Sequence, residues 1–327
     1  MAEEMNQDTS DYEFVGDDVV VPFAVEPLDV RGRAVHLGSM LDAILKRHDY
    51  PQDIAFLMGE MIALAVLLGT SLKFDGNFIL QAQSDGPVSL AVVDYSTPNS
   101  IRAYARFNKE DYEQALKDGK TSPRDLLGEG IMAMTIDHGV DMQRYQGIVK
   151  LDGISLEEAA HQYFKQSEQI PTRIKLSVAQ ILRASEDGSM TETSWRAGGV
   201  LTQFLPESED RIKYRDLPSG AEDEEEEFSE DDAWLEANAL MDTVGDDELT
   251  DPQITIERLL YRLFNEHGVR VFEGTDVLDQ CTCSREKVVA LVQTFKDDPE
   301  KPLKPDENFT TVCEFCSTSY TVAASEV

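Results

Sequence analysis

The 327-residue sequence predicts an α+β protein: an N-terminal domain of mixed sheets with helices over them, a partly helical acidic linker, and a small C-terminal module built on four cysteines. Three observations carry this reading. Short strand patterns separated by turn residues fill residues 77–196, with helix patterns ahead of and among them. Nineteen acidic and three basic residues crowd residues 207–251, a net −16 within a chain whose formal charge is −34. All four cysteines, Cys281, Cys283, Cys313 and Cys316, lie in the last fifth of the chain.

The elements follow in order. Residues 1–11 are polar and acidic and are expected to be disordered. Residues 12–206 form the predicted core domain. A helix is expected over 40–47, and a longer one after Tyr50-Pro51, with Pro51 suited to a first helical turn. The apolar stretch 55–68 in that helix carries Glu60 and is too short to cross a bilayer, so it predicts a buried core helix and no membrane partner. Strands are predicted over 77–83, 88–95 and 100–107, the first two joined through Asp85-Gly86-Pro87, and over 131–136 and 145–151. Ser155 and Glu158 have the spacing of a capping box and open a helix to about Gln166. Two further strands are expected over 173–183 and 192–196.

Residues 207–270 form the predicted linker. The run 222–227, six consecutive carboxylates, cannot pack and predicts a solvated segment. Residues 232–241 have helical spacing around Trp234, which looks prone to exposure. Asp251 is expected to cap a helix with Pro252 at its first position. Ile256, Leu259, Leu260 and Leu263 then fall on one stripe, and His267-Gly268 ends it. Such a stripe needs an apolar partner, and the N-terminal domain is the expected one. In the last segment, 271–327, Ser284 caps a helix through Val288, Val289, Leu291, Val292 and Phe295.

Composition excludes some classes of function. A chain this acidic repels phosphate backbones, so no nucleic-acid partner is expected. The N-terminus carries no basic segment followed by an apolar one, which predicts a cytoplasmic location where thiols stay reduced. Gly119-Lys120-Thr121 resembles the end of a phosphate-binding loop, but Gln114 stands where that motif needs glycine, and no nucleotide is expected. His36, His48, His138, His161 and His267 show no metal-ligand spacing. No nucleophile, base and orienting acid can be assembled, so no catalytic residue and no enzyme activity are predicted.

The cysteines read Cys281-Thr-Cys283 and Cys313-Glu-Phe-Cys316, two close pairs that would set four sulfurs around one zinc ion. A thioredoxin-like site would need a strand-to-helix context that Cys313 and Cys316 lack. A module this small buries too little to be stable alone. Structural zinc supplies about 10–16 kcal/mol in peptide fingers, so losing the metal should unfold it. Zinc-held thiolates are also what oxidants attack, and the spacing permits a disulfide within each close pair. A passive zinc ribbon and a redox switch fit these residues equally well. The competing functions are a redox-switched chaperone, a zinc-ribbon nucleic-acid or translation factor, and a disulfide oxidoreductase.

Further motifs separate them. Arg31-Gly-Arg33, His48-Asp-Tyr-Pro51, Leu72-Lys-Phe-Asp-Gly76, Asp85-Gly-Pro87, Tyr145-Gln-Gly147, Ser167-Glu-Gln169 and Pro171-Thr172 occur in one order, followed by Cys283-Ser-Arg-Glu286 and Cys313-Glu-Phe-Cys316. With them the chain resembles the redox-regulated chaperones of the heat-shock protein 33 family over residues 12–320. The resemblance implies an ATP-independent holdase that is inactive when reduced and zinc-bound, with its linker folded on the N-terminal domain. It also implies oxidation to disulfides Cys281–Cys283 and Cys313–Cys316, the second pair reacting more readily. Zinc release, an unfolded linker, capture of unfolding client proteins and a homodimer would follow. Two departures from the family stand out. The run 222–227 makes this linker more charged, which is expected to ease switching, and the short tail after Tyr320 is expected to leave the module's last strand incomplete.

Overall fold

The computed structural model describes residues 16–72, 74–138, 144–184, 191–205, 231–296, 308–323 and 326. The segments expected to be disordered (1–11) and solvated (222–227) lie outside them.

Two antiparallel sheets enclose one long helix. The chain enters through β1 (Val19–Val25) and β2 (Val30–Leu37), then α1 (Ser39–His48) and α2 (Gln52–Ser71). A meander of β3 (Asn77–Ser84), β4 (Val88–Ser96) and β5 (Ser100–Phe107) follows, then α3 (Lys109–Lys117) and α4 (Pro123–Leu127). The hairpin of β6 (Glu129–Asp137) and β7 (Tyr145–Asp152) leads to α5 (Leu156–Tyr163). A π-helical turn and the long strands β8 (Thr172–Ala184) and β9 (Thr191–Phe204) complete the domain. The first sheet runs β8-β9-β2-β1, and the second β5-β4-β3-β6-β7.

Fourteen of the twenty residues of α2 are buried, which makes it the core helix between the sheets. It is longer than the apolar stretch 55–68 suggested. Among the described residues it is the one helix whose length and hydropathy would also suit a membrane span. The predicted capping box is present, with the Ser155 hydroxyl accepting from the Glu158 amide at 3.1 Å and Glu158 accepting from the Ser155 amide at 2.7 Å.

Strands β1 and β2 are absent from the sequence-based expectation. In β1, Val20 faces the core around α2 while Val19, Val21, Phe23 and Val25 face the other way, and both sides are covered. A strand buried on both faces shows no polar–apolar alternation, and Pro22 breaks its pattern further. Strand β9 likewise runs past its predicted end at Arg196, through Gly198-Gly199 to Phe204.

The outer face of the first sheet is covered by the linker. It forms α6 (Asp232–Asp242), α7 (Asp246–Thr250) and α8 (Ile256–Phe264). Ile256, Leu259, Leu260, Leu263 and Phe264 bury one stripe against Val21, Phe23, Val25 and Val200, as the amphipathic pattern requires. Trp234, expected to be exposed, is only 6 % accessible and packs on Phe204 with ring centroids 5.9 Å apart. The start of α8 also differs: Thr255 is its cap, accepting from the Arg258 amide at 3.3 Å. Asp251 instead ends α7 and accepts from the Gln253 amide at 2.8 Å, because the chain must turn between two short helices.

One position shows how closely the linker sits. A Cβ on Gly198 would lie 2.0 Å from the carbonyl oxygen of Leu249, so only glycine lets α7 lie on β9. Beside it, buried Arg196 donates through Nε to the Thr250 carbonyl at 2.9 Å and through Nη2 to Asp17 at 2.7 Å.

Buried titratable groups are expected to make the domain lose stability in acid. Burial, with Arg196 nearby, pushes His36 from 6.5 down to about 4. Burial and Arg173 do the same to His161, whose Nε2 accepts from the Ile174 amide at 2.9 Å. Both pKa values are depressed, so the neutral imidazoles stabilise the fold above pH 6.5, and this is lost as pH falls toward 4. For fully buried His36 the loss amounts to about 3 kcal/mol. Glu60, pushed up from 4.5 to about 7 by burial, Glu157 and Asp246, works in the opposite direction between those values. Urea denaturation at pH 7 and pH 4.5 should therefore show a larger drop in midpoint for Glu60→Gln than for the wild type. Equal drops would contradict a buried neutral Glu60.

Candidate metal centre

Residues 270–280 carry the chain from the linker across the edges of both sheets. Strands β10 (Arg270–Val271) and β11 (Thr275–Asp276) pair with β1, and β12 (Leu278–Asp279) pairs in parallel with β5. Leu278 and Gln280 donate their amides to Asn99 at 2.9 Å and Ile101 at 3.1 Å. Cys281 and Cys283 follow directly and are thereby fixed next to the second sheet.

After them α9 (Arg285–Lys296) opens with Ser284 at its cap, the Ser284 hydroxyl accepting from the Lys287 amide at 3.3 Å. Cys313 and Cys316 lie in the turn between β13 (Asn308–Val312) and β14 (Ser319–Ala323). The Ser317 amide donates to the Cys313 carbonyl at 2.8 Å, the Cys313 amide donates to Thr318 at 2.9 Å, and Ser317 adopts φ +57° to close the knuckle. Strand β14 pairs along all five residues of β13, so the module's last strand is complete despite the short tail.

The fold brings the four predicted residues together. Their sulfurs all lie within 4.8 Å of one another, a set able to hold one metal ion. Across the pairs, the Cys283 and Cys316 sulfurs lie 3.3 Å apart and those of Cys281 and Cys313 3.8 Å apart. Neighbouring groups tune them. The Tyr320 hydroxyl lies 3.1 Å from the Cys283 sulfur, and Arg102 Nη1 lies 4.0 Å from that of Cys281. Burial pushes the Cys283 thiol up to about 12. At Cys316 burial is outweighed by bonds from Thr318 and the neighbouring thiols, which hold it at about 6.

The knuckle also touches the N-terminal domain. Arg102 lies over the Phe315 ring, with its Cζ 4.1 Å from the centroid, and the Tyr104 ring stands 6.2 Å away. His48 Nε2 and Arg47 Nη1 reach the Phe315 carbonyl at 3.1 and 3.4 Å. Arg47 also pairs with Asp279, and Arg106 with Glu314 at 3.3 Å. Apart from His48, which stands in one of the motifs above, none of these partners was singled out from the sequence, since the arginines and Tyr104 stand far along the chain from the cysteines and have no spacing in common with them. The glycine-lysine-threonine sequence at Gly119 lies in the turn between α3 and α4.

Comparisons with known proteins agree with this architecture. The family model described as Hsp33 protein matches residues 18–323. A 33 kDa chaperonin of Caulobacter vibrioides is 42% identical over 307 residues, covering 93% of this chain and 94% of its own. That of Pseudomonas paraeruginosa is 38% identical, with 93% and 91% covered. The fold is similar to the crystal structure of the 33 kDa chaperonin (heat shock protein 33 homolog) from Thermotoga maritima, with a TM-score of 0.66 at 17% identity over 94% of this chain and 96% of that one. With the family model spanning both sheets, the linker and all four cysteines, the chain belongs to the Hsp33 family of chaperones.

Proposed function

We propose that the protein is a redox-switched, ATP-independent holdase of the cytoplasm, held inactive while Cys281, Cys283, Cys313 and Cys316 bind one zinc ion as thiolates. The observation that carries this reading is the sulfur cluster itself. Tetrahedral thiolate coordination at about 2.3 Å requires sulfur–sulfur edges of about 3.8 Å, and the two cross-pair contacts of 3.8 and 3.3 Å are close to that spacing. Bound zinc would keep the sulfurs ionised and cross-link the segment after β12 to the knuckle.

The chain's own residues supply the rest of the switch. Peroxide or hypochlorous acid is the oxidant. With peroxide, the two thiolates of a close pair give up two electrons, one disulfide forms, and the peroxide takes up two protons from solvent and leaves as two waters. Cys313–Cys316 and Cys281–Cys283 are the proposed bridges, and each removes two ligands. A disulfide holds its two sulfurs at about 2.05 Å, well inside the spacing that ligands of a shared ion keep, so each local bridge opens the cluster. Residues 270–280 lose their anchor, α6 to α8 leave the first sheet under unfolding conditions, and the bared apolar face binds unfolding clients. The oxidised chain then associates as a homodimer.

Light scattering from a heat-denatured client tests the reading. Oxidant-treated, warmed protein is expected to suppress aggregation without ATP at stoichiometric amounts, while the reduced, zinc-loaded protein leaves it unchanged. Equal suppression in both states would reduce the metal to a structural role, and no suppression in either would remove the holdase. Peptide mapping of the oxidised sample should recover the two local disulfides.

A further inference from the structure

The Phe315 contact has the features of a recognition surface. Its cradle stands on β5 of the second sheet and at the end of α1, away from the face that the linker covers. Arg102 is preset by two bonds to Asp94, at 2.8 and 2.5 Å, with Asp94 only 8 % accessible. His48 is preset by stacking on Tyr50, with centroids 5.0 Å apart. These groups meet an aromatic ring through a cation and a tilted ring, and a main-chain carbonyl through His48 and Arg47. Nothing in that set reads the residues beside the aromatic one. Among the described residues the exposed Arg106–Glu314 pair is the one ion pair to a side chain beside Phe315, and surface pairs contribute little.

We propose that this cradle is a second client-binding surface, which takes an aromatic side chain together with its backbone carbonyl from an unfolded chain, and that Phe315 is its built-in occupant while the module is folded. Unfolded proteins display this combination: aromatic rings out of their core and carbonyls out of their ladders. The seated Phe315 shows that the pocket accepts such a group at van der Waals and hydrogen-bond distances. Departure of the knuckle empties it. Departure of residues 278–280 also frees the edge of β5 at Asn99 and Ile101, extending the surface with backbone groups that an extended peptide can pair with. The surface would thus become available in the same event as the linker-covered face. The proposal rests on the switch reading for its timing, but the pocket can be tested without any oxidation.

The probe is a fluorescein-labelled peptide, capped at both ends, with one Phe in a Gly/Ser/Asn background, beside its Phe→Ala control, read by fluorescence anisotropy. Reduced, zinc-loaded Phe315→Ala protein should bind the Phe peptide at least tenfold more tightly than reduced wild type, and the control peptide no better than wild type does. Adding Tyr104→Ala should reverse most of that gain. If Phe315→Ala also lost its metal, as a zinc-release assay would show, the cradle would be open all the same and the expectation would stand. In oxidised wild type, Tyr104→Ala should weaken Phe-peptide binding at least fivefold. No binding by Phe315→Ala, or equal binding of both peptides, would overturn the proposal and leave Phe315 as a latch for the knuckle alone. Unchanged binding on Tyr104→Ala would overturn it as well. A holdase that failed the light-scattering test would leave the Phe315→Ala result standing, so the two failures are distinguishable.

Discussion

Chelating the metal from the reduced protein is expected to unfold the module of residues 281–323 and to leave residues 19–204 folded. Among the module's described residues only Val292 and Val322 are fully buried apolar side chains, and its sheet is a single two-stranded hairpin. Such a hairpin is marginal alone. Structural zinc contributes about 10–16 kcal/mol in small fingers, as much as the whole stability of a typical domain at about 5–15 kcal/mol. Hydrogen exchange should show amides of β13 and β14 losing protection on chelation while those of α2 keep theirs. The linker should respond separately. Its helices bury Trp234, Met241, Leu249 and the α8 stripe on the first sheet, and none of that burial depends on sulfur. Protection in α8 should therefore persist after chelation at room temperature and disappear on warming. A hairpin that stayed protected without metal would show that docking on the N-terminal domain, and not the cysteine cluster, holds the module.

Gly198→Val is expected to lift the linker from the sheet in the reduced, metal-loaded protein. The new side chain would begin 2.0 Å from the Leu249 carbonyl oxygen and 2.8 Å from its carbon, both backbone atoms of α7 that cannot rotate away. Overpacking of this kind costs about 1–3 kcal/mol and sometimes more. Displacing α7 would also cost Arg196 its bond to Thr250, leaving a buried donor at a further penalty of about 1–3 kcal/mol. Together these approach what one short helical layer contributes. The variant should bind the apolar dye ANS several-fold more strongly, become sensitive to limited proteolysis within residues 231–264, keep its metal, and suppress client aggregation without oxidant. A silent, protease-resistant variant would mean that α7 can shift along β9 and that this contact does not control release.

The parts of the molecule that were legible in the sequence are those written in local spacing. The cysteine pairs stood out because two close pairs joined by a loop are a common way to bring four sulfurs to one point. The capping box at Ser155 and the stripe in α8 were legible for the same reason, since helix caps and faces repeat within a few residues. Strands β3 to β7 showed turn residues at each end. Strand β1 was not legible, because burial on both faces erases the alternation by which a strand is recognised, and β2 was masked by the charged, glycine-containing run Arg31-Gly32-Arg33 at its start. Trp234 was misjudged because its burial depends on Phe204, which lies thirty residues earlier on another element. The start of α8 shifted from Asp251 to Thr255 because the turn after α7 occupies the residues between them.

The sequence by itself determined the α+β class, the family and the four cysteines that the fold brings together, all of which rest on motifs whose members lie near one another along the chain or recur in a set order. Tertiary structure alone decided which surfaces those parts meet: α7 on Gly198, Arg196 between Asp17 and Thr250, residues 270–280 across both sheet edges, and Phe315 in a cradle from α1 and β5. Contacts between residues some fifty to nearly three hundred positions apart leave no periodicity to read. They exist only once the chain has closed on itself, because packing depends on shape and charge in space and not on distance along the chain.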